Sequence, residues 1–208
     1  WNPYDQNAVS KFFDPEWMFG VTDGFDIVIG NPPYLRIQEL RKFNNDLADY
    51  LSDNYKSAVG SFDLYVTFVE RGLQLVKPKG VMPVKWTNSS FGKGLRSILC
   101  EKSFISSIIN FEAYQVFEAS TYTGIHCFKQ SKSLAYLELD RDMKNNQELQ
   151  NYLSSITYND FVNININTSE AWVLTNKKVN TVLEKLNKCP YRLSDVFDKI
   201  FQGIATSK

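Results

Sequence analysis

Residues Phe25 to Tyr34 read FDIVIGNPPY, and this run indicates the type of fold. Its first part, FDIVIG, is a short apolar run rich in β-branched side chains, and Asn31, Pro32 and Pro33 follow it at once. Such a run predicts a buried strand of a parallel sheet, because these strands are covered on both faces. The prolines fix φ and force a rigid turn at the carboxyl end of that strand. In open α/β sheets, ligands bind at this end.

The turn offers hydrogen-bond acceptors beside an aromatic ring. Neither proline has an amide N–H, Asn31 adds a side-chain carbonyl, and Tyr34 adds a flat face that can stack on a planar ring. This combination suits a planar substrate that carries an amino group, because the acceptors orient the hydrogens of the nitrogen and leave its lone pair for reaction. A structural alternative stays open, in which Asn31 caps a tight turn and Tyr34 packs in the core.

The elements after the turn alternate between helix and strand. Residues 35–61 are polar and long for a connection, which predicts a functional or mobile loop with a short helix at Asp46–Asn54. Because two strands follow each other at the end of this region, we expect an α/β sheet that is mostly parallel with one antiparallel strand. The apolar spacing predicts helices over Phe62–Lys77 and Phe91–Cys100, and strands over Gly80–Trp86, Phe104–Phe111 and Tyr122–Lys129.

The pattern changes beyond Ser131. The segment LAYLELD predicts another strand, Asn145–Ser155 a helix, and the Asn-rich segment after it an irregular stretch that leads into a strand. Asn176–Asn187 is predicted as an amphipathic helix. Its apolar face would consist of Val179, Val182, Leu183 and Leu186.

Composition narrows the chemistry and the compartment. The chain has 208 residues, a single His and three Cys, which are Cys100, Cys127 and Cys189. One His argues against Ser-His-Asp catalysis and most metal sites, and the cysteines make neither a CxxC pair nor an even disulfide set. We therefore expect no metal site and a cytoplasmic location. No window approaches the roughly 18 to 20 apolar residues of a membrane span, and the N-terminus does not resemble a signal peptide.

The charge is balanced overall but not along the chain. Acidic side chains predominate in residues 1–34 and basic ones in residues 36–102, whereas the formal net charge is +0. This gradient could place a basic surface beside an acidic pocket, as in an enzyme that binds a polyanion. Ordinary variation in surface charge explains the counts equally well.

FDIVIGNPPY resembles motif IV of the amino-group DNA methyltransferases that act on adenine, especially the gamma-class enzymes of the Taq-like and type IIG restriction-modification kind. The resemblance implies the carboxyl-terminal half of a Rossmann-like sheet that uses S-adenosylmethionine and methylates the exocyclic amine of a flipped adenine. Later segments resemble, in order, motif V with the next strand, motif VI, the region of motifs VII and VIII, and the start of a target-recognition domain. They read SFDLYVTFVERGLQLVKPKGVMPV, PVKWTNSSFGKGLRSIL, FEAYQVFEASTYTGIHCFK and DVFDKIFQGIATSK.

The resemblance also implies roles for single residues. Asn31 and the backbone carbonyl of Pro32 would accept hydrogen bonds from the adenine amine, in a catalytic turn completed by Pro33 and Tyr34. Tyr34 would stack on the base, which must leave the duplex before a methyl donor can reach its amine. Phe117 matches the aromatic residue that stacks on the other face of the base, and a core Phe at the end of a strand is the alternative.

Other residues match the walls of the family's pocket and its cofactor site. Leu64 and Tyr65 lie where family members wall the base or cofactor pocket, although core packing explains them equally well. Asp14 lies roughly where a motif III acid would contact the adenine of S-adenosylmethionine, and a capped turn that packs Trp17 on the sheet edge is the alternative. The Gly-rich motif I and the acid that binds the ribose are absent before Phe25. We therefore expect most of the cofactor site to lie upstream, and the chain to be inactive alone.

Basic residues after motif IV are candidates for contacts with the phosphates of double-stranded DNA, and solvated surface is the alternative for each of them. They are Arg36, Arg41, Lys42, Lys93 and Arg96, with Lys85 as a further basic residue.

Three regions are expected along the chain. Residues 1–131 would form the carboxyl-terminal half of the catalytic core, residues 132–190 a connector, and residues 191–208 the start of a target-recognition domain. The expected function is site-specific adenine methylation of DNA in a restriction-modification or phage-defence system. Two alternatives remain: a methyltransferase that modifies protein glutamine or RNA with the same motif, and a non-catalytic DNA-binding module.

Overall fold

The computed structural model describes residues 2, 4–5, 7–8, 10, 12–86, 92–112, 114–116, 123–131, 133–139, 143–164, 166 and 172–197. Phe117 lies outside these residues. In chain order the elements are α1 (Pro15–Phe19), β1 (Phe25–Ile27), α2 (Ile37–Phe43), α3 (Asn45–Asn54), α4 (Tyr65–Leu75), β2 (Val76–Trp86), α5 (Lys93–Lys102), β3 (Ser107–Asn110), β4 (Gly124–Phe128), β5 (Leu134–Glu138), α6 (Asn146–Ser155), a 3₁₀ turn (Tyr158–Asp160), β6 (Val162–Ile164), α7 (Lys177–Asn187) and α8 (Leu193–Val196).

Six strands form one sheet in the order β1-β2-β4-β3-β5-β6. Pairing is parallel between β1 and β2 and between β3 and β5, whereas β4 is antiparallel to both of its neighbours. This confirms the predicted α/β sheet, mostly parallel with one antiparallel strand, which is β4 among the strands β1 to β5. At the far edge, β6 also runs antiparallel, against β5. The carboxyl ends of β1, β2, β3 and β5 therefore meet at one edge of the sheet.

The prediction that β1 is buried is wrong for this chain. Ile27 is 61% exposed and Ile29, just after the strand, is 79% exposed. The reason is position: β1 is the terminal strand of the sheet, and β2 is its only strand partner among the described residues. Periodicity reports that a segment is apolar, but it does not report whether a neighbour covers the segment. An apolar edge of this kind is a template for pairing with a further strand.

The helix after the motif region ends earlier than its apolar spacing predicts. α4 stops at Leu75, and β2 begins at Val76, because Val76 pairs with Phe25 at the start of β1. The end of α4 and the residue before β1 approach each other closely at Gly24, which has a φ of +91°. A Cβ atom there would lie 2.8 Å from the carbonyl oxygen of Leu75. Only glycine fits this conformation and this space.

Residues 35–61 contain two helices instead of the long loop that their polar composition predicts. α3 confirms the short helix expected at Asp46–Asn54, and the side chain of Asn44 caps it by accepting a hydrogen bond from the N–H of Leu47. α2 precedes it and buries Ile37 and Leu40. The helix spans only seven residues, and its third apolar residue, Phe43, is 70% exposed, so its periodic pattern is weak and the sequence did not reveal α2.

The core consists of apolar residues from α2 to α5 packed on the sheet. The side chains with the least exposure include Val66, Val69, Leu95, Leu99, Ile108, Phe128, Leu134 and Tyr136. The last two belong to β5, so residues beyond 131 join the same sheet and the same core. None of the helices in the described part of the chain has the length and hydropathy needed to cross a bilayer.

α7 confirms the predicted helix, but most of its apolar face is exposed. Val179, Val182 and Leu186 are exposed, and Leu183 is half-buried. The N-terminus of α7 is fixed by Asn176, whose side chain accepts a hydrogen bond from the N–H of Val179 at 3.1 Å.

The start of α5 packs directly on the turn between α3 and α4. The buried carboxylate of Glu70 accepts hydrogen bonds from the N–H groups of Lys56 (3.2 Å) and Ser57 (2.7 Å), and this fixes the turn. Gly94 lies against it: a Cβ atom at this position would be 2.7 Å from the carbonyl oxygen of Ser57 and 2.9 Å from that of Lys56. A backbone atom cannot move aside as a flexible side chain does.

We therefore expect Gly94→Ala to lower the free energy of unfolding by about 1–3 kcal/mol through overpacking. Gly92→Ala is the matched control, because a Cβ atom there meets nothing closer than Val66 Cγ1 at 3.8 Å. Urea unfolding of the two variants measures the difference. Equal stabilities would contradict the close approach of α5 to this turn.

Candidate active site

The turn Asn31–Tyr34 follows β1 at the edge where the parallel strands end. The side chain of Asn31 is exposed, Pro32 is buried, and Tyr34 is 38% exposed. The hydroxyl of Tyr34 donates a hydrogen bond to Oδ1 of Asn31 at 3.3 Å. Partial burial raises the pKa of Tyr34, so the phenol stays protonated and remains a donor near neutral pH. The structure thus brings the predicted acceptor and the predicted stacking ring into contact at the protein surface.

Backbone pairing holds this turn against the start of α4. The N–H of Ile37 donates to the carbonyl of Phe62 at 2.9 Å, and the N–H of Leu64 donates to the carbonyl of Leu35 at 2.8 Å. These two bonds place Leu64 and the neighbouring Tyr65 next to the residues that follow the motif. The predicted pocket-wall residues are therefore close to the turn in space, although they are about 30 residues away in sequence.

Leu64 and Tyr65 are themselves buried, at 6% and 4% exposure. The phenol of Tyr65 interacts with the backbone of Gly92 just before α5, and its burial raises its pKa well above the usual range. Both residues thus pack in the core and connect the turn to α5. Their predicted role as pocket walls stays a prediction.

A cavity of about 250 Å³ opens beside the same turn. It lies between the end of β1, α3 and α4, and its lining is mainly apolar. The lining residues are Val28, Ile29, Gly30, Pro32, Leu51, Tyr55, Thr67, Phe68, Val69, Arg71, Gly72 and Leu75. Sequence patterns did not reveal this cavity, because its wall combines residues from three elements.

The predicted phosphate contacts lie on the surface, most of them paired with carboxylates. Lys93, the first residue of α5, is exposed, and Arg96 is half-buried one turn later. Exposed ion pairs contribute little to stability, so such pairs can open to bind a phosphate. The pairs are Arg36 with Asp63 at 3.9 Å, Arg41 with Asp49 at 2.6 Å, and Lys42 with Glu39 at 2.7 Å.

Asp14 does not lie beside the turn. It is the N-cap of α1 and accepts a hydrogen bond from the N–H of Trp17 at 3.0 Å. The adjacent Phe13 packs on Phe25, with ring centroids 6.5 Å apart, so Asp14 sits at the amino end of β1 and Asn31 follows the carboxyl end. The capped turn of the alternative is present, whereas Trp17, which that alternative packs on the sheet edge, is 64% exposed.

One group of polar residues at this edge was not found from the sequence. Asn110, Glu112, Tyr136 and Glu138 are connected by hydrogen bonds at the carboxyl ends of β3 and β5. Tyr136 is separated from Asn110 by 26 positions, so no local pattern relates them. Within the described residues, no cluster of three or more His, Cys, Asp or Glu side chains is arranged to bind a metal ion.

A comparison with protein families decides the classification. The model described as Eco57I restriction-modification methylase matches residues 2–117, which is more than half of the chain. The chain belongs to the Eco57I restriction-modification methylase family.

Curated relatives of the chain are much longer than the chain itself. It is 30% identical over 192 residues to the type II restriction enzyme and methyltransferase RM.Eco57I of Escherichia coli, which covers 88% of this chain and 19% of that protein. It is 27% identical over 215 residues to the type II methyltransferase M.BstVI of Geobacillus stearothermophilus, which covers 91% of this chain and 38% of that protein. The chain thus spans less than two fifths of either relative.

Solved structures share the α/β fold of this Eco57I-family chain. The DrdV–DNA complex matches with a TM-score of 0.52 and 16% identity over 71% of this chain and 18% of that one. A nuclease-deletion mutant of the type ISP restriction-modification enzyme LlaGI, in complex with a DNA substrate mimic, matches with a TM-score of 0.52 and 20% identity over 70% and 15%. At these identities the likeness concerns the fold alone.

Membership of the Eco57I family implies S-adenosylmethionine as the methyl donor. Asn31 and the carbonyl of Pro32 suit an amine, not this cofactor. The cavity beside them offers a few polar side chains, Tyr55, Thr67 and Arg71, but no carboxylate for a ribose or an ammonium group. The lining of this cavity therefore does not form a complete cofactor site.

Proposed function

We propose that the intact protein methylates the exocyclic amine of adenine in double-stranded DNA, as part of a restriction-modification system. The observation that carries the proposal is the contact between Asn31 and Tyr34 on the exposed turn after β1. An acceptor and an aromatic ring next to each other are what a planar base with an amino group needs. Membership of the Eco57I family supports methyl transfer as the reaction.

The chain acts on the amine by positioning it and by stabilising charge. Oδ1 of Asn31 has a second lone pair besides the one that faces Tyr34, so it can accept from the amine, and the carbonyl of Pro32 can accept from the other hydrogen. The nitrogen lone pair then points away from both acceptors. As the nitrogen becomes positively charged, the same acceptors stabilise it, and its proton leaves to solvent afterwards. S-adenosylmethionine supplies a methyl group on sulfonium sulfur, which keeps the electron pair when its bond to the methyl breaks.

The base must be held outside the duplex during this reaction. We assign one face of it to Tyr34 and the other to Phe117, with Leu64 and Tyr65 behind them. Phosphates beside the extruded base would be contacted by the surface cations, of which Lys93 is the most accessible on α5. The other candidates would bind phosphates once their present contacts open. They are Arg36, Arg41, Lys42 and Arg96.

The decisive experiment supplies tritiated S-adenosylmethionine and a library of duplex DNA to the intact protein. We expect label in DNA, released on hydrolysis as N6-methyladenine, and single-molecule sequencing of the product then gives the recognition site. Label in protein glutamine or in RNA would instead support the alternative substrates. Binding of DNA with no label in any substrate would favour a non-catalytic module.

Two substitutions of Tyr34 distinguish the contribution of ring stacking from that of the hydroxyl hydrogen bond. Tyr34→Phe keeps the ring and loses only the donor to Asn31, so we expect methylation to fall by no more than about fivefold, the effect of one neutral hydrogen bond. Tyr34→Ala removes the ring and should reduce kcat/KM by about 10- to 100-fold, since base–aromatic stacking contributes about 1–3 kcal/mol. Steady-state kinetics on the sequenced recognition site compares the two. Equal losses would show that the hydroxyl, not the ring, is what the site uses.

A further inference from the structure

α7 carries a row of basic side chains on one face. Four lysines occur in residues 177–188, and all of them are exposed. Successive residues of an α-helix are about 100° apart around its axis, so the four lysines fall within an arc of about 100°. The carboxylate of Glu184 lies outside this arc and accepts a hydrogen bond from Asn180 at 3.0 Å. We call the arc the α7 basic face, and it consists of Lys177, Lys178, Lys185 and Lys188.

The exposure of the other residues shows which way this face points. Asn180 and Leu183 are the half-buried residues of α7, so the side of the helix between them faces the rest of the protein. Lys178 and Lys185 lie almost directly opposite that side, at about 180° around the axis. Within the part of the chain that the structure describes, no lysine of the α7 basic face forms an ion pair with a carboxylate. The face therefore presents uncompensated positive charge to the solvent.

Helix stability does not explain where these charges lie. Lys177 and Lys178 occupy the first turn of α7, where the helix dipole favours acidic side chains and disfavours cations. Lys185 and Lys188 are three positions apart, so they are neighbours of like charge on the helix surface. Both arrangements destabilise an isolated helix. A bound polyanion would reverse both effects, because it supplies negative charge at the positive end of the helix and beside the paired lysines.

α7 begins at the edge of the sheet that carries the Asn31–Tyr34 turn. Its N-cap, Asn176, donates from Nδ2 to Oε1 of Glu138, the last residue of β5, at 3.0 Å. The neighbouring β6 runs antiparallel to β5, so the start of β6 lies at the same edge. The first residues of the α7 basic face are therefore fixed at the carboxyl edge, where the proposed reaction takes place.

Double-stranded DNA is the polyanion that fits this position. β5 is four strand spacings from β1 in the sheet, which corresponds to about 19 Å. A duplex rises about 3.4 Å per base pair and carries two phosphates in that length. If its target base is at the Asn31–Tyr34 turn and its axis follows this edge, the duplex reaches the start of α7 within about six base pairs.

An anionic membrane surface is the other partner that basic amphipathic helices bind. Such helices lie in the membrane interface with the apolar face inserted. In α7 the apolar face is turned partly towards the protein, since Leu183 is half-buried, whereas Lys178 and Lys185 project directly away from it. A surface that approaches α7 from outside thus meets the lysines first. This geometry favours a partner that is bound through its charges.

We propose that the α7 basic face binds the phosphate backbone of the DNA beside the target base and holds the duplex against the carboxyl edge of the sheet. The proposal rests on the proposed function, because it takes DNA as the substrate. Phosphate contacts carry no sequence information, so the face contributes affinity and not recognition of the site. Part of the segment expected as a connector, residues 132–190, then belongs to the DNA-binding surface.

The salt dependence of DNA binding by the intact protein tests the proposal. Each phosphate contact contributes about 0.9 to the slope of the logarithm of the binding constant against that of the salt concentration. Lys178→Gln/Lys185→Gln should therefore lower the slope by about 1.8, so that its loss of affinity is about tenfold larger at about 50 mM than at about 200 mM salt. The loss should be equal for a duplex with the recognition site and for a scrambled one.

The matched control is Lys79→Gln/Lys102→Gln. Both lysines are exposed, and they lie towards the amino ends of β2 and β3, at the opposite edge of the sheet. This variant loses the same charge as Lys178→Gln/Lys185→Gln, and we expect it to keep the wild-type slope. Circular dichroism verifies that all variants are folded.

Two added lysines provide an independent measurement. Thr181 lies within the α7 basic face, whereas Asn187 lies on the side that faces the protein, so Thr181→Lys and Asn187→Lys add the same charge in different directions. Thr181→Lys should make the slope steeper by about 0.9, and Asn187→Lys should leave it unchanged. Equal effects of the two added lysines would overturn the proposal, because net charge alone would then explain the binding.

Two other results would also overturn it. One is a wild-type slope in Lys178→Gln/Lys185→Gln. The other is a loss of binding to phosphatidylserine vesicles in this variant while its DNA binding is unchanged, which would assign the face to a membrane surface. Methyl transfer is measured separately. A wild-type protein that binds duplex DNA through this face but methylates no adenine would contradict the proposed function and leave the assignment of the α7 basic face intact.

Discussion

Asn31→Ala in the intact protein lowers methyl transfer to adenine by about 10²- to 10³-fold, the effect of removing one preorganised polar group from a charge-stabilising site. The alanine removes Oδ1, which accepts from Tyr34 and, in our proposal, from the amine. Binding of DNA should change little, because phosphate contacts supply most of its affinity. Single-turnover transfer of labelled methyl measures the first quantity, and fluorescence anisotropy with the same duplex measures the second.

Two further variants serve as controls for this result. Asn31→Asp keeps an acceptor at the same place, so it should retain more activity than alanine by at least about tenfold. Asn187→Ala, an exposed asparagine at the end of α7, should behave as the wild type. If Asn31→Ala keeps full transfer, or if DNA binding is lost in parallel with transfer, the residue does not act on the amine and the proposed mechanism is wrong.

The position of the Asn31–Tyr34 turn could be predicted from the sequence, because one short run carried two kinds of information. FDIVIG indicated an apolar strand, and the prolines after it indicated a turn at its carboxyl end. Strand direction then determined the edge of the sheet on which this turn lies. α3 was also predictable, since the residues after Asn44 favour a helix and place Ala48 and Leu51 on one buried face.

Properties that depend on distant partners were not predictable. The exposure of Ile27 and Ile29 depends on which strands stand beside β1, and no property of those two residues encodes this. The left-handed backbone conformation of Glu112, with a φ of +48°, depends on Asn110 and, through it, on Tyr136 in another strand. The cavity beside the turn depends on how α3 and α4 pack. In each case the sequence contained the residues, but only the tertiary arrangement determined their environment.

His126 should make the stability of the fold depend on pH between about pH 4 and 6.5. It lies on β4 with 2% exposure, between the strand partners Val84 and Ile108. Burial lowers the pKa of His126 to about 3. In the unfolded chain the same imidazole takes up a proton near pH 6.5. Below that pH the unfolded state therefore binds one more proton than the folded state.

The sign of the effect follows from this difference. The contribution of His126 is fully present above about pH 6.5 and is lost as the pH falls towards 3, at about 1.4 kcal/mol per pH unit. Over the whole window the loss is on the order of 5 kcal/mol. Asp160, whose pKa is lowered by its hydrogen bonds to Thr157, loses its contribution only as the pH falls below 3.8. Between pH 4 and 6.5 Asp160 therefore adds little to the slope. Glu112, whose pKa is raised by burial and by Glu138, acts in the opposite direction to His126, so the share of the imidazole is read by comparison with variants that lack it.

Urea unfolding of the intact protein is monitored with a probe in the sheet at several pH values across that range. It measures how steeply the free energy of unfolding changes with pH. His126→Leu and His126→Gln cannot titrate, so both should show a slope lower than the wild type by about 1.4 kcal/mol per pH unit, whatever their stability at pH 7. The comparison uses slopes because each substitution also changes packing against Phe128, whose ring lies 6.4 Å from the imidazole. A wild-type slope equal to that of both variants would mean that the imidazole is protonated in the folded protein. Water or an acidic group would then have to reach His126 on β4 through side chains that are packed closed in this structure.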